Sequence, residues 1–145
     1  MIGSMALVVF NLIPQPQTIE AAKGDLIPAS SPICEAVDGT IAPEGYRLEV
    51  NPTGSVTITS SDMAGAFYAR QTLEQMRVGT NYSCAVVTDA PQYKLRGMHF
   101  DDCRHLFGKD VLKKTLDLMA QYNGMKFGGI EGSGPQQTIM PGNES

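Results

Sequence analysis

Between His99 and His105 the chain crowds groups that can bind, donate or take protons: His99, Asp101, Cys103, Arg104 and His105. Imidazole, thiol and carboxylate in one short run invite a metal reading. However, successive side chains along a strand point to opposite faces, so residues on a strand and its exit loop cannot all converge on one centre. The expectation is therefore no metal. Asp101 and Arg104 are expected to form a buried ion pair with His105 hydrogen-bonded beside it, a structural arrangement rather than a reacting one. Arg96, a little upstream, taken alone reads as a solvated surface arginine. Glu131 and Glu144 lie in a Gly-rich stretch. A general acid needs a fixed position and a raised pKa, which such a stretch does not offer.

The totals narrow the classes. The chain has 145 residues, 42% hydrophobic and 18% charged, with a net charge of −4. That is enough for one modest core. A weakly acidic chain without grouped Lys and Arg argues against a nucleic-acid partner. No apolar run approaches the roughly 18 residues of a membrane span, so no membrane partner is expected. Residues 1–10, Met-Ile-Gly-Ser-Met-Ala-Leu-Val-Val-Phe, lack a charged n-region and a cleavage pattern, and so do not read as a signal peptide. Cys34, Cys84 and Cys103 are widely spaced. They read as separate thiols, in preference to one disulfide with a cysteine left over.

These candidate groups must be held by elements. Residues 6–13 read as a strand stopped by Pro14 and Pro16. Residues 23–44, with Gly24, Pro28, Pro32, Gly39 and Pro43, read as a long loop. A hairpin is expected over 46–60: Tyr46, Leu48 and Val50 alternate with Arg47 and Glu49, Asn51-Pro52-Thr53-Gly54 turns, and Val56, Ile58 and Ser60 return. A helix over 62–77 follows, capped near Ser60 or Ser61 with Asp62 at its positive end. Met63, Ala66, Phe67, Leu73 and Met76 are expected on its inner stripe, and Gly65 to allow close packing on the sheet. Cys84–Val87 is a short apolar strand closed by Asp89-Ala-Pro91. Then come a strand at 95–100, a helix at 109–123 with Val111, Leu112, Leu116, Met119 and Tyr122 inward, a cap at Gly124, and a strand opening at 125–127. Residues 128–145 read as a flexible tail.

Two main stretches, 44–76 and 89–105, with further segments at 11–17 and 109–126, carry a resemblance that covers about two thirds of the chain. Asn11-Leu-Ile-Pro-Gln-Pro-Gln17 opens it. Glu44-Gly-Tyr-Arg-Leu-Glu-Val50, Val56-Thr-Ile-Thr59 and Ala64-Gly-Ala-Phe-Tyr-Ala-Arg-Gln-Thr-Leu-Glu-Gln-Met76 follow in order. Asp89-Ala-Pro-Gln-Tyr-Lys-Leu-Arg-Gly-Met98 then runs into Asp101-Asp-Cys-Arg-His105, and Lys109–Lys126 continues. Together they resemble the front of a family 20 glycoside hydrolase, the β-N-acetylhexosaminidases: the small domain, then the first strand and helix of the catalytic barrel. The resemblance implies an α+β fold, with a small, mostly antiparallel sheet carrying a helix on one face over 1–90 and the first β-α unit of an incomplete (β/α)8 barrel over 91–127. It implies an N-acetylhexosamine-containing glycan as partner, no cofactor, a secreted or periplasmic location, and Arg96 as a substrate contact whose planar fork donates to neighbouring sugar hydroxyls. Family members use the substrate's own 2-acetamido oxygen as nucleophile, with a Glu as general acid and an adjacent Asp orienting the acetamido group.

Two departures accompany the match. The section between Pro28 and Glu44 is short, so the small domain is expected to lack a helix and a strand. After Phe127 the chain reads Gly-Gly-Ile-Glu-Gly-Ser-Gly134, and no Asp-Glu pair of the catalytic type follows. The expectation is a hexosaminidase fragment that is inactive alone. The alternative is a non-catalytic module binding carbohydrate or protein. Self-association through the orphaned barrel unit is also expected, because its apolar stripe is made to cover a wall.

Overall fold

A computed structural model describes residues 11–100, 108–122, 126–129 and 138–139. The chain divides into two compact units, one ending at Gln92 and the other beginning at Tyr93.

In the first unit the strands are β1 (Thr18–Pro28), β2 (Ile33–Val37), β3 (Tyr46–Asn51) and β4 (Ser55–Ser60). Helix α1 (Met63–Gln75), a short β5 (Arg77–Val78) and β6 (Asn81–Asp89) complete it. The sheet runs β1-β6-β3-β4-β2, with β5 beside β6. All pairings are antiparallel except β2 with β4, which makes the sheet mixed. The 46–60 hairpin forms as expected, with Leu48 opposite Ile58 and Val50 opposite Val56. Gly54 takes φ 91° at its turn, where a side chain would be strained.

Tyr46, Leu48, Val50, Val56, Ile58, Val87, Leu73 and Met76 fill the core between this sheet and α1. Tyr46 is buried, and its Oη lies 2.6 Å from the Thr72 Oγ1 of α1. A buried phenol needs such a partner.

Three expectations change. Residues 23–44 are not one long loop, because β1 extends to Pro28 and β2 occupies 33–37. Their ladders come from β6 and β4, partners distant in sequence, so segments holding residues of little intrinsic strand preference, such as Glu20, Ala21, Ala22, Gly24 and Asp25 of β1, are still drawn into the sheet. Residues 11–13 are not strand; residues 1–10 lie outside the described residues. The inner stripe of α1 is Gly65, Ala69, Thr72 and Leu73, whereas Met63 is 91% and Phe67 39% exposed. The cause is Gly65: a Cβ there would run into the Gly45 carbonyl oxygen. That close backbone approach sets the helix's rotation ahead of side-chain hydrophobicity.

The second unit holds β7 (Gly97–Phe100), α2 (Lys109–Gln121), β8 (Lys126–Gly129) and β9 (Thr138–Ile139). β7 and β8 pair in parallel across α2, and β9 pairs antiparallel to β8. The expected strand at 95 begins at Gly97, and the helix ends at Gln121 with Tyr122 as its cap. Of the inward set, Met119 is buried, Leu112 and Leu116 are half-buried, and Val111 and Tyr122 are exposed. The Gly124 cap lies outside the described residues. Within the expected tail, Gly128–Gly129 and Thr138–Ile139 are strand.

Candidate functional site

Arg96 stands immediately before β7, at that strand's N-terminal end. Its side chain is partly sheltered, and its Nη1 donates to the Tyr93 carbonyl at 2.6 Å. A backbone oxygen thus fixes one arm of the guanidinium. Asp101, Arg104 and His105, the expected structural cluster, lie outside the described residues, as does Cys103. Cys34 is exposed and Cys84 buried, and both are free thiols. Among the described residues no group of His, Cys, Asp and Glu has metal-site geometry.

The acids of the first unit are arranged for structure. Glu74 accepts from Arg77 Nε at 2.9 Å, from Arg77 Nη2 at 3.0 Å and from Tyr82 Oη at 2.8 Å. The Arg77 bonds, with help from Tyr82, hold its carboxyl below the usual range. Burial, then the neighbouring Glu74, pushes the Tyr82 phenol up. The Arg77 guanidinium also lies over the Tyr82 ring, 5.2 Å from its centroid. Asp62 caps α1: its Oδ1 accepts from Gly65 N at 2.8 Å and its Oδ2 from Glu44 N at 3.0 Å. Burial raises the Asp62 pKa, but those bonds and one from Ser61 outweigh it, and the net shift is downward. Asp38 is likewise lowered by the Thr40 hydroxyl. A general acid needs a raised carboxyl, so Asp38, Asp62 and Glu74 are all set against that role.

One device escaped the sequence reading. Gln75 Oε1 accepts from Ile13 N at 2.9 Å, and Gln75 Nε2 donates to Ile13 O at 3.0 Å, so the side-chain amide imitates a ladder partner. Leu12 is thereby held in the core. Gln17 N donates to Asp89 Oδ1 at 3.2 Å, and Gln17 Nε2 donates to Ala90 O at 3.0 Å. The Asn11–Gln17 motif carried the only signal of this; the partners were not legible.

The described residues thus form a mixed sheet backed by one helix and, beyond Gln92, a separate unit in which β7 and β8 are parallel with Arg96 just before β7. Residues 27–90 match the family profile "Glycosyl hydrolase family 20, domain 2". A β-hexosaminidase of Akkermansia muciniphila is 30% identical over 122 residues, covering 81% of this chain and 24% of the relative. An N,N'-diacetylchitobiase of Vibrio harveyi is 32% identical over 104 residues, covering 69% of this chain and 12% of the relative. The solved structure of a glycoside hydrolase family 20 β-N-acetylglucosaminidase superposes with a TM-score of 0.69 at 26% identity, covering 79% of this chain and 29% of that one. Residues 27–90 are thus a glycosyl hydrolase family 20 domain 2, and the chain as a whole is similar to a fragment of that family's β-hexosaminidases. It spans about a quarter or less of the length of these two relatives.

Proposed function

We propose that this chain is the front part of a β-N-acetylhexosaminidase, comprising domain 2 and the first β-α unit of the catalytic barrel, and that these 145 residues alone do not hydrolyse glycosides. The observation that carries the reading is continuity. The matched domain 2 ends at residue 90, and the chain passes through Arg96 into β7–α2–β8, whose two strands are parallel as barrel strands are. The substrate class is a terminal N-acetylhexosamine, as the relatives' names suggest. Arg96 is assigned to the sugar hydroxyls, with Tyr93's carbonyl orienting its fork. Asp101, Arg104 and His105 are assigned a supporting role beyond the end of β7. Turnover would need the Glu and Asp that the family places elsewhere in the barrel.

The position of Arg96 makes the assignment testable. Barrel active sites generally sit at the C-terminal ends of the strands, whereas Arg96 precedes β7. Replacing the corresponding segment of the Akkermansia muciniphila β-hexosaminidase by residues 27–127 of this chain should give an active chimera. In it, Arg96→Ala should lower kcat/KM by about 10- to 100-fold, the loss of a charged hydrogen bond to substrate. A folded but inactive chimera sinks the reading of this chain as the front part of such an enzyme. An active chimera indifferent to Arg96→Ala assigns the arginine to the Tyr93 turn alone. Residues 1–145 should not cleave a chromogenic N-acetyl-β-D-glucosaminide. Turnover that co-purifies with them would refute the inactivity, and saturable sugar binding without turnover would favour the binding-module alternative.

A further inference from the structure

We propose that β2 is a self-pairing edge, through which two copies of this chain join their sheets antiparallel about a two-fold axis at Glu35. β2 ends the strand order, so one of its sides pairs with β4 and, among the described residues, the other is open. All of its residues are exposed. The open side can be read from two bonds: Val56 N donates to Pro32 O at 3.0 Å, and Asp38 N donates to Ser60 O at 2.8 Å. Backbone groups alternate sides along a strand, so residues 32, 34, 36 and 38 address β4. The N–H and C=O of Ile33, Glu35 and Val37 therefore address the open edge. Natural edges are usually guarded by Lys, Pro or a bulge. Ile33-Cys-Glu-Ala-Val37 has none of these, and Val37 is 78% exposed.

The partner is written into the strand. Its residue types read alike in both directions: β-branched, small, Glu, small, β-branched. Centred on Glu35, an antiparallel pair sets Ile33 against Val37 of the second copy, each exchanging backbone hydrogen bonds with the other. Cys34 then falls opposite Ala36 on the sheet's other face. The facing pair of Glu35 carboxylates would ordinarily repel. Here each already has a cation: Arg70 Nη2 lies 2.8 Å from Glu35 Oε1, on the α1 side of the sheet. Both helices fall on the same side of the joined sheet, so the axis is surrounded by alternating charge. A heterologous strand would lose this symmetry match, so a second copy of the chain is the occupant the sequence favours.

The test is light scattering on residues 1–145 across a concentration series, with variants. Val37→Pro removes an outward N–H and leaves the β4 ladder intact, so the fold should survive while the dimer weakens by at least about tenfold in Kd. Val37→Lys should do the same and serves if the proline variant fails to fold. Ala36→Cys should form a covalent dimer on mild oxidation, because residues opposite in a non-hydrogen-bonded pair lie about 4.5 Å apart at Cα, within disulfide reach. Peptide mapping should show Cys34 linked to residue 36 of the other copy. The exposed apolar residues of α2 offer a competing route, checked with Leu118→Glu. A chain monomeric at every concentration, a dimer lost only in Leu118→Glu, a dimer unchanged by both Val37 variants, or a cross-link lacking the 34–36 peptide would each overturn the proposal.

Discussion

Helices α1 and α2 are each 13 residues long, and they are held in contrasting ways. α1 is capped by Asp62, presses Gly65 onto the Gly45 backbone, and buries Ala69, Thr72 and Leu73 against β3 and β4. α2 begins at Gly108 with no side-chain cap. It buries Met119 and leaves Val111 48%, Leu118 42% and Tyr122 37% exposed. By sequence alone, α2 has the more regular apolar stripe. The contrast separates amphipathic pattern from burial: the stripe says that a helix can be covered, while fixed contacts say that it is.

Matched truncations test the contrast most severely. Leu73→Ala should cost about 3 kcal/mol in a denaturant titration of the first unit, as a cavity in a filled core does. Leu118→Ala should cost less than about 0.5 kcal/mol, because that side chain is already largely in water. Equal costs would abolish the distinction between the two helices.

Gly65→Ala is the sharper probe of α1. In an open helix the change would gain up to about 1 kcal/mol. Here the new methyl meets the Gly45 carbonyl, so a loss of about 2 kcal/mol is expected. A stabilised variant would show that the helix can slide, and that the close approach does not set its rotation.

The smallest effect concerns the cap. Asp62→Ala should cost about 1 kcal/mol at neutral pH. The Asp62 pKa is lowered in the folded state. Its contribution is therefore fully present above the unfolded value of about 4 and is lost as pH falls through the folded one. Wild type and variant should converge in stability in strong acid. A gap of undiminished size there would assign the cost to something other than the carboxylate.

The same contrast explains what was legible. The 46–60 hairpin could be read because alternation and turn residues are local, and both were in place. β1 and β2 could not, because their ladders come from strands far along the chain. The face of α1 was misjudged through Met63 and Phe67. Hydrophobicity ranked them inward, while the helix turns on a glycine whose contact partner is backbone. Arg96 was found from its place before Gly97 in a motif, but its Tyr93 partner was not, since a carbonyl has no residue signature.

The Gln17 clamp has a mechanical consequence. β1 starts opposite the end of β6, with Thr18 facing Thr88, and Gln17 grips Asp89 and Ala90. The sheet's first strand therefore begins beside the point where β6 finishes. A pull applied at these two ends would load the β1–β6 ladder rung by rung, as a zipper, instead of shearing all its rungs together.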